Sequence, residues 1–116
     1  MGTGSIRGMP CLSVLAKHGF SIWPFDPVKL PLVVEIYPRA LTGSVRKSRW
    51  AERHALLRHR FASQSPEMLE RAAGSEDAFD AAVSALVMAE YQEQIRALTP
   101  TADATFMVEG KIWTPH

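Results

Sequence analysis

Two carboxylates, Asp80 and Glu35, stand where an ionised side chain is costly, and a third, Asp77, lies close to the first of them. In "SEDAFDAAVSALVMA", residues 75–89, Ser75 reads as a helix N-cap, and Glu76 and Asp77 fall in the first turn, where exposed amides and the helix dipole favour negative charge. Asp80 lies beyond that turn, and from Ala78 to Ala89 the only other polar side chain is Ser84. A helix apolar nearly all round is expected to be an inner helix, where a carboxylate needs a cation or hydrogen-bond donors. At helical spacing Asp77 and Asp80 are about 60° apart around the axis, so both can enter one space. Glu35 poses the same problem in the middle of "LVVEIYP", residues 32–38. Three oxygen donors suit a hard divalent cation, Mg2+ or Mn2+, whose shell is completed by water and substrate phosphate. The alternative is that each carboxylate pairs with an arginine in a non-catalytic module.

Cations supply the second ingredient. Arg39, Arg46, Lys47, Arg49, Arg53, Arg58 and Arg60 cluster within one short segment and are opposed there only by Glu52. Such clustering fits phosphate contacts, with Arg39, Lys47, Arg49 and Arg53 as the candidate nucleic-acid-binding set; the plain alternative is a solvated helix face. His54 and His59 are five apart and fall on different sides of a helix, which disfavours zinc. Cys11 has no nearby base and is expected to be a buried apolar thiol. "GTGSIRG" is rich in glycine but lacks a preceding strand and the P-loop lysine, so it reads as a loop.

The elements that must position these groups are legible from periodicity and punctuation. Residues 10–18 suit a short helix ended by Gly19, and "FSIWPF" a short strand near an edge. "LVVEIYP" is nearly continuously apolar, which predicts a strand covered on both faces. Residues 44–61 read as an amphipathic helix with Val45, Trp50, Leu56, Leu57 and Phe61 inward. A short helix follows, capped by Ser65 with Pro66 first and ended by Gly74. The long helix capped by Ser75 is expected to run to about Leu98, where Pro100 stops it. "TFMVEGKIWTP" resembles a hairpin turning at Glu109 and Gly110. Together these predict an α/β domain, a small mixed sheet packed by helices with a long buried C-terminal helix and a terminal hairpin.

Composition bounds the rest. With 116 residues, 47% of them hydrophobic, the chain is expected to form one domain spanning residues 1–116. The net charge of +1 conceals the local clusters. A single cysteine allows no internal disulfide, and no apolar run reaches bilayer length, so a cytoplasmic protein with no membrane contact is expected.

"VVEIYPRALTG" followed by a basic helix, then "SEDAFDAAVSALVMA" and "EGKIWTP", resembles the C-terminal part of an uncharacterised family of RNase H-like nucleases. "GTGSIRGMPCLSVLAKHGFSIWPFD" resembles that family's middle region, so the likeness spans essentially the whole chain. It implies a partial RNase H-like fold and divalent-metal-dependent phosphodiester hydrolysis. Glu35 would be the central-strand carboxylate, Asp80 a ligand from the last core helix, and Asp77 a second ligand or modulator, with two metal ions roughly 4 Å apart. The aspartate-bearing first strand of that fold has no counterpart here, which implies about half of the usual domain, impaired activity, and a homodimer that covers the sheet edge left open.

Overall fold

The computed structural model describes residues 11–100 and 112–116. The chain divides into two compact units, Met1–Ile36 with Gln92–His116, and Tyr37–Tyr91. The class is mixed α/β and mostly helical, with two short parallel strand pairs. No helix among the described residues is long and apolar enough to cross a membrane.

In the first unit, residues 11–17 are helical (α1). The helix ends as its glycine predicts. Gly19 takes φ of 89° and donates to Ala16 O at 3.2 Å, while Phe20 N donates to Leu15 O at 3.1 Å, a pairing that satisfies the last carbonyls. Cys11 is exposed, contrary to the expected burial. Strand β1 (Ser21–Ile22) pairs in parallel with β2 (Leu32–Val33), and β3 (Glu35–Ile36) with β4 (Ile112–Trp113).

The predicted continuous strand is therefore broken at Val34 and stops at Ile36; Leu32 to Ile36 are half-buried and Tyr37 is exposed. Pro24, Pro27, Pro31 and Pro38 crowd the region, each lacking a ladder donor, and strands of two residues result instead of a buried central one. The turn of the predicted terminal hairpin lies outside the described residues, and the segment after it, β4, runs parallel to β3. Trp23 and Trp113 are buried in this unit, with Trp23 Nε1 donating to Thr99 O at 2.8 Å. Helix α6 (Gln92–Arg96) also belongs to it.

The second unit is helical. Helix α2 (Pro38–Thr42) stops at Gly43, whose φ of 80° favours glycine. Helix α3 (Trp50–Arg60) begins later than residue 44, because residues 43–49 are non-helical and include a turn closed by Arg49 N donating to Arg46 O at 3.1 Å. Helix α4 (Pro66–Ala73) has its expected cap, Ser65 Oγ accepting from Met68 N at 3.1 Å. Helix α5 (Glu76–Glu90) is capped by Ser75 Oγ, which accepts from Ala78 N at 3.0 Å. It ends at Tyr91, short of Leu98.

Helix α5 packs on α2, α3 and α4, and it is not buried all round. Phe79, Val83 and Val87, spaced by four, form the buried stripe with Leu41, Leu57, Phe61 and Leu69 completing the core. Ala81, Ala85 and Ala89 face solvent. Alanine is the best helix former and loses little when exposed, so an alanine-rich outer face reads in sequence like an inner one.

Candidate functional site

Asp80 sits on the flank of the α5 stripe, one residue after the buried Phe79. Its partner comes from the turn before α3. Lys47 Nζ donates to both carboxylate oxygens, at 2.9 and 3.0 Å. The two side chains are 20% and 25% exposed, for Lys47 and Asp80 respectively. The cation opposite Asp80 is thus an ammonium, where sequence reasoning weighed a metal ion or an arginine. Asp77 lies in the exposed first turn of the same helix. Glu35 belongs to the other unit, half-buried in β3 and in register with Ile112. Among the described residues, no group of three or more His, Cys, Asp or Glu side chains gathers to hold a metal ion.

The seven clustered cations divide into two classes. Lys47 is taken by Asp80. Arg53 is 7% exposed, and its guanidinium donates through Nε to Ala73 O at 2.9 Å and through Nη1 to Lys47 O at 2.6 Å. It therefore satisfies the last carbonyl of α4 and holds the turn that presents Lys47, an internal clamp and not a surface contact. Arg60 donates to Leu41 O at 3.2 Å and lies 3.7 Å from Glu90. Arg39, Arg46, Arg49 and Arg58 are exposed, and among the described residues none of their guanidiniums forms an ion pair or hydrogen bond. Of the predicted binding set, Arg39 and Arg49 remain available to a ligand, Lys47 and Arg53 are engaged internally, and Arg46 and Arg58 join the first two.

A second cluster escaped the sequence reading. His54 Nε2 lies 3.1 Å from Glu70 Oε1, and the imidazole stacks on the Trp50 indole with centroids 4.6 Å apart and planes 16° from parallel. The spacing of Trp50 and His54, four apart on a helix, is the signal that would have found it. Beside them is a cavity of about 400 Å³, lined by His54, Arg58, Gln64, Leu69 and Glu70 among others. Guanidiniums without internal partners next to a stacked aromatic pair can hold phosphates and planar groups.

Neither the family models, nor the curated proteins, nor the solved structures that were compared give a match to this chain.

Proposed function

We propose that the helical unit binds the phosphate backbone of a nucleic acid through Arg39, Arg46, Arg49 and Arg58. The division among the cations supports this reading. The neighbouring Lys47, Arg53 and Arg60 are engaged within the unit, whereas these four guanidiniums stand exposed with no internal partner among the described residues. A guanidinium's planar fork matches phosphate oxygens, and such contacts give sequence-independent affinity that falls as salt rises. Fluorescence anisotropy of a labelled oligonucleotide across a salt series tests it. Arg46→Ala with Arg49→Ala should weaken binding and flatten its salt dependence; binding unchanged in both respects would remove the reading.

Divalent-metal-dependent hydrolysis at Glu35, Asp77 and Asp80, in an RNase H-like fold, is a second proposal, supported by the sequence resemblance and by the placement of Asp77 and Asp80 three apart on α5. A cation at Asp80 has to compete with Lys47 for both oxygens, so binding rather than cleavage is the conclusion. Calorimetric titration with Mn2+ decides this: heat present in the wild type and lost in Asp80→Ala supports a metal site, and silence in both discards it. The homodimer also stands as a proposal, supported by the exposed Val14 and Leu30, and sedimentation velocity tests it.

A further inference from the structure

We infer that the ligand is an unpaired strand, and that Trp50 is the platform on which one of its bases stacks; this rests on the phosphate-binding reading above. Trp50 opens α3 and is 49% exposed, although indole is the largest apolar group a protein can bury. Its ring is nevertheless held. The His54 imidazole lies against it at 4.6 Å and 16°, and His54 is fixed in turn by Glu70 at 3.1 Å. An aromatic plane kept in one orientation, with half of its residue open to solvent, accepts a second planar partner without first losing rotamer freedom.

The surroundings select the kind of plane. Arg49 precedes Trp50 directly and Arg46 lies in the turn before it, both exposed and without internal ion pairs among the described residues. Arg58 follows His54 by four residues, so Trp50, His54 and Arg58 run along one side of α3 over about 12 Å. Arg58, Gln64 and Glu70 line the adjoining cavity of about 400 Å³ and offer donors and acceptors to the edge of a neighbouring base. Cations that track a backbone, interleaved with an aromatic face, are what an unpaired strand requires. A duplex stacks its base faces inward and offers only edges and phosphates, leaving Trp50 nothing to meet.

Anisotropy titrations of the full chain with labelled oligothymidylate, oligouridylate and the oligothymidylate–oligoadenylate duplex test this, using wild type, Trp50→Ala and Trp50→Phe, with thermal melts to establish that each variant is folded. The single strands should bind more tightly than the duplex. Trp50→Ala should lose about 5- to 150-fold of single-strand affinity with an unchanged salt slope, and Trp50→Phe should retain most of it. Salt-dependent binding in which Trp50→Ala equals wild type, or in which the duplex binds as tightly as the single strands, overturns the platform and leaves the phosphate reading standing. Absence of salt-dependent binding to any of the three overturns both.

Discussion

Lys47 and Arg53 are four bonds of one small network: two from the ammonium to Asp80, and two from the guanidinium to Ala73 O and Lys47 O. Because the Lys47–Asp80 pair is partly solvated, it falls between the exposed and the buried limits, and a double-mutant cycle with Lys47→Ala and Asp80→Ala should give a coupling of about 1–2 kcal/mol in denaturant unfolding. A coupling near zero would mean that solvent screens the pair completely. Arg53 is the more consequential residue. Arg53→Ala strips donors from two carbonyls at a buried position and should cost about 2–4 kcal/mol in the same measurement. Arg53→Lys should recover little of it, since one ammonium cannot reproduce the guanidinium's spread of donors toward two carbonyls from different segments.

The helix ends at Gly19, Ser65 and Ser75 were readable because each is set by a single residue with local chemistry, whereas the start of α3 and the end of α5, which have no such residue, were not. Ser65 and Ser75 cap α4 and α5 through the oxygen and at the spacing that their sequence positions require, and Gly19 ends α1. Ser75→Ala should lower stability by about 1 kcal/mol, read from the unfolding midpoint, with the slope against denaturant unchanged. Gly43→Ala should cost about 1–3 kcal/mol although a Cβ there meets nothing within 4 Å, because at φ of 80° the penalty is conformational and not steric crowding by neighbours. Burial was harder to read. Ala81, Ala85 and Ala89 gave α5 the look of an inner helix, and hydropathy cannot separate an alanine that packs from one that is simply a good helix former. The site followed the same division: the anomaly of Asp80 was visible in sequence, but the identity of its cation depended on a turn ending α2 at Gly43, which carries Lys47 to α5. Arg53 looked like a surface cation because charge says nothing about which side of α3 a side chain takes.

Over the whole chain 13 lysines and arginines nearly cancel 12 carboxylates, so there is little net field to draw in a polyanion from a distance. Binding must then come from close contacts, and its salt dependence counts them. Cations concentrate between residues 39 and 60, whereas the segment from Glu67 to Glu90 carries six carboxylates and a single cation, Arg71, so the proposed track for a strand is α3 and the turn before it. Four guanidiniums contacting a single strand give a slope of log affinity against log salt of about −3, hence a roughly 50-fold loss between about 50 and 200 mM salt. Each of Arg39→Ala, Arg46→Ala, Arg49→Ala and Arg58→Ala should reduce the magnitude of that slope by about 0.7, while Arg53→Lys should leave it unaltered, because a guanidinium held on two carbonyls releases no counterion on binding. A slope that follows Arg53 instead of the four exposed arginines would tie affinity to the integrity of the turn and not to phosphate contacts, and would place the binding surface elsewhere on the molecule.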